Sequence, residues 1–468
     1  MARSSRPSLG CTMNARLRFL HPLLTSGLLL AAPLLPASAQ NCANTSVPGL
    51  VPLNDLGAGS YQGFQGGLYP GGTNVRPFAH TVGGLAQAVQ VVPRDAAGNP
   101  SASGRIVFLS IGMSNCTQEF SRFVQLASAD PLRRPAVLAV DGAQGGQTAE
   151  IIQDPNAAFW TVVEQRLASA SVTAQQVQAI WFKEADAGPT SGFPTYANTL
   201  KTEFETILGV LHVKFPNARL CYVASRIYAG YATSTLNPEP YAYEQGFSCK
   251  WTIEDQIAGL PALNYDPALG AVASPWVDWG TYNWANGLLP RSDGLTWACS
   301  DFVSDGTHPA TSGREKVAQA LLAFVHADPT AAAWYMAQPV PQAYGIGKTT
   351  SLGTLPSVGW TGTPSFAAND FAFTYGGAVP LKFGLGFQGG TAAHAPFLSG
   401  TATRWVGNPL QRLPVHQLDA AGGTAYPVAI TPAMVGTTRF YMGWSRDPAH
   451  PDGTGLVSTD GLRVVFSN

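Results

Sequence analysis

The chain has 468 residues, a formal net charge of −1 and only 12% charged residues. This balance argues against a nucleic-acid partner, because contacts with phosphates demand a basic surface. The 50 glycines and 36 prolines are typical of loop-rich extracellular proteins rather than helical ones, and the length favours two domains over a single core.

Residues 1–39 are predicted to be an export signal. Four arginines precede an apolar run over 23–35, and Ala37-Ser38-Ala39 fits a small-residue cleavage site. Removing these four from the 27 basic residues leaves 23 against 28 acidic ones, a net charge of −5. Later segments lack a run of about 18 uninterrupted apolar residues, so we expect a secreted protein without an integral membrane segment.

The cysteines that follow the predicted signal are Cys42, Cys116, Cys221, Cys249 and Cys299. In an oxidising compartment we expect two disulfides and one buried thiol, although an odd number fixes no pairing. The chain has no Cys-x-x-Cys motif and no histidine pair at ligand spacing, so no metal site is predicted.

Four segments predict a parallel sheet within 40–338. Each is an apolar, β-branched run that ends in Gly, Ser, Asp or Asn: "RIVFLSIGMSN" from 105, "PAVLAVDGAQGG" from 135, "VQAIWFKEAD" from 177 and "RLCYVASR" from 219. Runs without polar alternation suit strands buried on both faces, and helix-like stretches lie between them. We therefore predict a three-layer α/β/α, flavodoxin-like sandwich whose working residues lie at the carboxyl ends of the strands.

In residues 228–300 the apolar residues show neither the periodicity of a strand nor that of a helix. This segment carries five of the 11 tryptophans. We interpret this segment as a long insertion beside the carboxyl edge of the sheet. Its aromatic side chains either fill a core or form a wall for a ligand.

The last part of the chain predicts one more helix and then a second domain. Ser312 and Glu315 form a capping-box pattern ahead of an apolar helical stripe. Residues 339–349 are a connector that bears Pro and Gly. From 350 to 468, short segments with period-two alternation, such as "FAFTY" at 371, predict a separate antiparallel β-sandwich.

The ends of the first two predicted strands carry candidate catalytic groups. Ser114 stands beside the amides that open the next helix, and such amides can support an oxyanion; its other interpretation is a helix cap. Gly145 and Gly146, after the second strand, either let the backbone approach a ligand closely or form an ordinary tight turn.

Charged residues follow the third strand and precede the last helix. Lys183, Glu184 and Asp186 would lie at the same sheet edge, unless they form a solvated loop. Asp305 and His308 are three residues apart, a separation that lets the carboxylate accept the imidazole N–H while the other nitrogen faces a serine. Taken alone, this pair also fits a surface loop.

Together these residues resemble the blocks of SGNH, or GDSL-like, hydrolases, in particular the branch of sialate O-acetylesterases and related carbohydrate acetylesterases. Gly112-Met113-Ser114-Asn115 is similar to the Gly-Gln-Ser-Asn block, and Ala143-Gln144-Gly145-Gly146 to Ala-x-Gly-Gly. Asp305-Gly306-Thr307-His308-Pro309 matches Asp-Gly-x-His-Pro. The resemblance spans 105–326.

The resemblance implies a role for each matching residue. Ser114 would be the nucleophile, His308 the general base and Asp305 the carboxylate that orients it. The oxyanion donors would be the amides of Ser114 and of Gly145 or Gly146. Asn115, Gln144, Glu184 and Asp186 are further candidates for contact with the substrate.

The third block departs from the family pattern. Where Trp-x-Gln-Gly-Glu is expected, "WFKEAD" has Lys183 in place of the amide side chain. Lys183 then either donates to the oxyanion as a cation or is held in an ion pair by Glu184 or Asp186.

These inferences predict a secreted serine esterase that removes acetyl groups from carbohydrates through an acyl-enzyme, without a metal or organic cofactor. The competing hypothesis is a catalytically inactive protein of SGNH fold that binds glycans or the cell surface. The C-terminal sandwich is a candidate for contact with a glycan or the cell surface.

Overall fold

The computed structural model describes residues 39–88, 90–337, 340–366, 368–397, 401–434 and 436–466. Except for Ala39, the predicted export signal lies outside these residues. Within the described ranges, no helix combines the length and apolar character needed to cross a membrane.

The N-terminal segment begins with helix α1 (Leu53–Leu56), the short strands β1 (Ser60–Tyr61) and β2 (Phe64–Gln65), and helix α2 (Phe78–Ala88). The Leu53 amide donates a hydrogen bond to the Tyr282 hydroxyl (2.9 Å), and His80 Nε2 lies 3.0 Å from the Val277 carbonyl oxygen. The segment is therefore anchored to residues that lie more than 190 positions later in the chain.

The centre of the α/β part is a parallel sheet. Its strands are β3 (Ile106–Gly112), β4 (Val137–Asp141), β5 (Val177–Lys183), β6 (Leu220–Ala224) and β7 (Trp276–Thr281). They pair in the order β4-β3-β5-β6-β7, with every pairing parallel. This is the flavodoxin-like order, and it confirms the predicted fold class. All residues of β3, β5 and β6 are buried, because helices cover both faces of the sheet.

The covering helices are α3 (Ser114–Ala129), α4 (Ala149–Ile152), α5 (Ala158–Ser169), α6 (Thr195–Lys214), α7 (Tyr241–Ile257), α8 (Thr311–Ala327) and α9 (Pro329–Tyr335). Helix α3 contacts α8, and α6 contacts α7. Right-handed connections in this strand order place α3 on one face and α5, α6 and α7 on the other. The ring of Phe108 on β3 packs against Phe120 and Phe123 of α3, with centroids 5.4 and 5.7 Å apart.

The interpretation of 228–300 as an insertion without helix or strand is wrong. This segment contains α7 and also β7, the fifth strand of the sheet. The strand pattern is hidden because "WVDWGT" places the polar Asp278 in a fully buried position, where Arg76 pairs with it. Trp276, Trp284 and Trp297 are buried in the core, which favours the core interpretation of the aromatic residues.

The predicted capping box is also wrong. Helix α8 begins at Thr311, its N-cap is Ala310, and no side chain caps it. Ser312 Oγ instead donates to the Ser300 carbonyl oxygen (3.4 Å), and Glu315 accepts a hydrogen bond from Arg122 of α3 (2.5 Å). Both side chains have partners from other segments, and these compete with local capping.

Cysteine pairing differs from the expectation of two disulfides. The described residues contain one disulfide, Cys42–Cys299, while Cys116, Cys221 and Cys249 are buried free thiols. Next to the disulfide, the Gln40 amide donates to the Ser304 carbonyl oxygen (2.6 Å). The disulfide therefore ties the N-terminal segment to the chain that leads into Asp305 and His308.

Replacing Cys42 and Cys299 together by serine is expected to lower the free energy of unfolding by about 2–4 kcal/mol. The bond joins positions 257 residues apart, and breaking it returns the entropy of loop closure to the unfolded chain. Urea unfolding followed by circular dichroism measures the change. In reductant, the wild type should have the same free energy of unfolding as the variant. A wild type whose free energy of unfolding does not change on addition of reductant would contradict the prediction.

The C-terminal part is antiparallel and confirms the predicted β-sandwich. Its strands are β8 (Gln342–Tyr344), β9 (Ser357–Thr361), β10 (Ala372–Gly376), β11 (Phe383–Gly389), β12 (Ala392–Phe397), β13 (Ala402–Val406), β14 (Gln411–Gln417), β15 (Thr424–Pro427), β16 (Thr438–Arg446) and β17 (Leu456–Val465). The sheets run β14-β11-β16-β17-β8 and β15-β10-β9, with β12 paired to β13. The rings of Phe373 and Tyr441, one from each larger sheet, stack with centroids 5.3 Å apart.

The first strand of the sandwich lies inside the predicted connector 339–349. Strand β8 pairs with β17, so residues 342–344 belong to the sandwich. Phe78 of α2 packs against Trp405 and His394 of the sandwich, with ring centroids 4.4 and 4.5 Å apart. The α/β part and the sandwich therefore share an aromatic contact at α2.

Candidate active site

Ser114 is the first residue of α3 and follows a sharp turn at the end of β3. The turn depends on Gly112, which has φ +152°; a Cβ at this position would lie 2.0 Å from the Lys183 carbonyl oxygen. Only glycine allows β3 and β5 to approach so closely where the chain turns. The turn leaves Ser114 half-buried at the carboxyl edge of the sheet, as the strand rule predicts.

Three predicted residues meet at this edge. His308 Nε2 lies 2.8 Å from Ser114 Oγ, and His308 Nδ1 lies 2.6 Å from Asp305 Oδ2. Asp305 Oδ1 accepts hydrogen bonds from the amides of Thr307 (2.8 Å) and His308 (2.9 Å). The serine and the histidine are 194 residues apart in the chain, so only the fold brings them into contact.

The environment of Asp305 favours its ionised form. Burial by itself raises the pKa of this carboxyl, but the His308 amide, the His308 ring and the Thr307 amide together hold the pKa below its usual value. The carboxylate can then accept the Nδ1–H of His308, which leaves Nε2 free to accept the Ser114 proton. Gly306 makes the loop possible: it has φ +67°, and a Cβ there would lie 2.2 Å from the Tyr231 carbonyl oxygen.

Two backbone segments with candidate oxyanion amides lie near the serine. The Ser114 amide is at the first position of α3, where no earlier helical carbonyl can accept it. Gly145 and Gly146 line the same cavity as Ser114, and a Cβ on Gly145 would lie 3.8 Å from Ser114 Cβ. The Gln144 amide donates to the Gly112 carbonyl oxygen (2.9 Å) and so joins this loop to the serine turn.

Lys183 is engaged elsewhere. Its Nζ lies 2.5 Å from Glu119 Oε2 of α3, and both side chains are buried. The expected ion-pair partners were Glu184 or Asp186, so the pairing with Glu119 is a correction. Lys183 is not among the residues that line the Ser114 cavity.

The four predicted substrate contacts divide into two groups. Asn115 and Asp186 line the cavity, whereas Gln144 and Glu184 do not. Gln144 Nε2 donates to the Phe159 carbonyl oxygen (3.0 Å), and Glu184 Oε1 accepts from the Ala185 amide (2.8 Å). Both of the latter side chains thus have partners within the protein.

Asn115 has a positioning contact as well. Its Nδ2 donates to the Thr307 carbonyl oxygen (3.1 Å). Helix α3, which carries Ser114, is thereby linked directly to the loop that carries His308.

The cavity at Ser114 has a volume of about 260 Å³. It is lined by Met113, Ser114, Asn115, Gly145, Gly146, Asp186, Ala187, Arg226, Leu236, Asn237, Thr307 and His308. Sequence reasoning did not select Arg226, Asn237 or Thr307. The rule that parallel strands end in working residues would have found Arg226, which lies two residues after the end of β6, but no local pattern marks Asn237.

No family model and no curated protein matches the chain. Among solved structures, the periplasmic domain of a lipopolysaccharide acetyltransferase from Salmonella ser. Paratyphi A is 10% identical with a TM-score of 0.27, over 47% of this chain and 83% of that chain. A salicylyl-acyltransferase from a tetracycline biosynthetic pathway is 14% identical with a TM-score of 0.28, over 50% and 58%. A carbohydrate acetylesterase from Xanthomonas citri is 11% identical with a TM-score of 0.27, over 77% and 80%.

All three of these proteins handle acyl or acetyl groups, by their names. TM-scores and identities this low carry no argument about the function of the present chain. Its function is therefore inferred from its own residues and their geometry.

Proposed function

We propose that the protein is a secreted serine esterase of the SGNH type, which removes acetyl groups from carbohydrates. The observation that carries the proposal is the continuous contact from Ser114 Oγ to His308 Nε2 (2.8 Å) and from His308 Nδ1 to Asp305 (2.6 Å). A hydroxyl, an imidazole and a carboxylate in this order form an activated nucleophile.

The proposed reaction has two steps. Ser114 Oγ attacks the ester carbonyl carbon while His308 Nε2 takes its proton, and the amides of Ser114 and of Gly145 or Gly146 bind the oxyanion. The alcohol leaves with the proton from His308, which gives an acyl-serine. A water molecule, deprotonated by His308, then attacks the acyl carbon; acetate leaves, and the serine regains its proton from His308.

The acetyl and carbohydrate parts of the proposal have separate support. The resemblance of 112–115, 143–146 and 305–309 to carbohydrate acetylesterases supports both, and a cavity of about 260 Å³ suits a small acyl group. The tryptophans of 228–300 do not support the alternative of an aromatic wall for a ligand, because Trp276, Trp284 and Trp297 are buried.

Secretion is part of the proposal. It rests on the predicted signal at 1–39 and on the Cys42–Cys299 disulfide, since disulfides persist mainly in oxidising compartments.

Treatment with a serine-reactive fluorophosphonate is expected to stop 4-nitrophenyl acetate hydrolysis and to label Ser114, because the probe reacts with an activated hydroxyl. Peptide mass spectrometry locates the adduct. Ser312→Ala should label like the wild type, because this hydroxyl contacts only a carbonyl oxygen among the described residues. A wild type that neither labels nor hydrolyses the ester would favour the inactive, glycan-binding alternative, and an adduct on another serine would overturn the assignment of Ser114.

A further inference from the structure

Residues 142–146, which we call the oxyanion loop, connect the end of β4 to the wall of the Ser114 cavity. The amides of Gly145 and Gly146 make no hydrogen bond to another described residue. A backbone amide stabilises an oxyanion well only when its N–H is already aimed at the place where the charge develops. The groups that fix the orientation of this loop therefore affect the reaction, even where they do not contact the ester.

Arg166 of α5 holds carbonyl groups of the oxyanion loop and of the residue before it. Its Nη1 donates hydrogen bonds to the carbonyl oxygens of Asp141 (3.1 Å) and Ala143 (2.5 Å). The Gln144 amide, on the other side of the second of these peptide groups, donates to the Gly112 carbonyl oxygen (2.9 Å). The peptide group between residues 143 and 144 is therefore held at both ends, directly before the first free amide.

The Asp141 carboxylate holds the loop from its other side. Its Oδ1 accepts hydrogen bonds from Ser110 Oγ of β3 (2.6 Å) and from the Ala143 amide (3.1 Å). Its Oδ2 accepts hydrogen bonds from the hydroxyl groups of Thr117 and Ser121. Both hydroxyl groups belong to α3, the helix that begins with the candidate nucleophile. One carboxylate thus joins the oxyanion loop to the helix that carries the serine.

Neither charged side chain lines the Ser114 cavity. Arg166 Nη1 lies 3.7 Å from Asp141 Oδ2, so the two groups also attract each other across the start of the loop. Their contacts are with backbone groups of the loop, with β3 and with α3. This arrangement suits residues that act on the reaction by fixing geometry rather than by touching the substrate.

We propose that Asp141 and Arg166 are positioning residues for the oxyanion: together they orient the loop so that the Gly145 or Gly146 amide points at the ester oxygen. This inference rests on the proposed esterase function and adds two residues on which its rate depends. The two amides bind the oxyanion, and the two charged side chains hold those amides in place.

Asp141→Ala is expected to lower kcat for 4-nitrophenyl acetate by about 10–100-fold per active site, because a misplacement of about 1 Å near the reacting atoms has an effect of this size. KM should change by less than about 3-fold, since the ester oxygen carries the charge only in the transition state. Titration to completion with the fluorophosphonate counts the active sites, so that unfolded protein does not contribute to the measured kcat.

A transition-state analogue gives a second readout. When Ser114 Oγ adds to the carbonyl carbon of trifluoroacetone and His308 takes the proton, the adduct carries an oxyanion in the place of the reacting ester oxygen. The Ki of this ketone should rise in Asp141→Ala by about the factor by which kcat/KM falls. A role in stability alone would change neither the Ki nor the kcat per titrated site.

Conservative variants separate geometry from charge. Asp141→Asn should recover most of the rate, because the amide oxygen can still accept hydrogen bonds from Ser110 and Ala143. Arg166→Met should lower kcat per site by about 10-fold, less than the loss of a whole oxyanion donor, and Arg166→Lys should recover part of this loss. The Arg166 side chain is 37% exposed, so its variants are expected to fold, and they decide the question if Asp141→Ala does not.

Asp95→Ala is the matched control. This carboxylate also accepts hydrogen bonds from two backbone amides, those of Ala97 (3.0 Å) and Asn99 (2.9 Å), but it lies outside the oxyanion loop and the cavity. Its removal should leave kcat per site unchanged.

Three results would contradict the proposals. An unchanged kcat per site in Asp141→Ala and Arg166→Met would overturn the positioning role, even if both variants are less stable. An Asp141→Asn variant as slow as Asp141→Ala would overturn it too, because charge rather than geometry would then be the cause. A wild type that neither reacts with the fluorophosphonate nor hydrolyses the ester would end the esterase proposal itself, and the positioning role with it.

Discussion

Ser114→Ala is expected to lower kcat for 4-nitrophenyl acetate by about 10⁴–10⁶-fold, since it removes the atom that attacks the ester. The amides of Ser114 and Gly145 would still bind the oxyanion, so a small residual rate above that of water is expected. Initial rates at saturating substrate, together with a burst experiment on the wild type, measure the effect.

The stability of the Ser114→Ala variant shows whether its loss of activity has a catalytic or a structural cause. The Ser114 side chain is half-buried, and its hydroxyl contacts His308, so its loss should leave the melting temperature within about 2 °C of the wild type. Ser312→Ala serves as a second serine control and should retain full activity. Equal rates for Ser114→Ala and the wild type would refute the proposed mechanism.

Lys183→Met is expected to lower the free energy of unfolding by about 3–5 kcal/mol. The substitution leaves the Glu119 carboxyl in a fully buried position without its ammonium partner. Burial already raises the pKa of Glu119, and Lys183 is the main group that opposes this effect. Urea unfolding followed by circular dichroism gives the loss directly.

The double variant Lys183→Met, Glu119→Leu should recover most of that stability, because apolar pairs often replace buried ion pairs at little cost. Arg122→Met is the exposed control: its ion pair with Glu315 is partly solvated, so its removal should cost less than about 1 kcal/mol. A stable Lys183→Met variant with a kcat 100-fold lower would favour the oxyanion role instead and would contradict the ion-pair role.

The sheet was predictable because its strands are buried on both faces. Such strands need unbroken apolar runs, and four of the five strands have them: β3, β4, β5 and β6. Strand β7 was missed because its buried Asp278 breaks the run. This aspartate pairs with Arg76, 202 residues earlier in the chain, and accepts a hydrogen bond from the Tyr69 hydroxyl. A compensating charge at that distance leaves no mark in the local pattern.

Much of the candidate site was also predictable. Ser114, Gly145 and Asp186 all follow apolar runs, and parallel strands bring their carboxyl ends to one edge. His308 was found by its motif. Lys183 and Arg226 show the limit of this reasoning. Lys183 ends β5 and Arg226 lies two residues after β6, yet Lys183 pairs with Glu119 whereas Arg226 lines the cavity.

By itself, the amino-acid sequence determined the α/β class, the sandwich that follows it and the residues that can serve as nucleophile, base and acid. The two fold features depend on periodicity over a few residues, whereas the roles of the site residues were implied by the resemblance of short motifs to a known family. Only the tertiary structure decided that Cys42 pairs with Cys299, that Glu119 holds Lys183 and that Arg226 faces the serine cavity. Such partners are chosen by packing between distant segments, where burial makes an unpaired charge costly and a matched one stable.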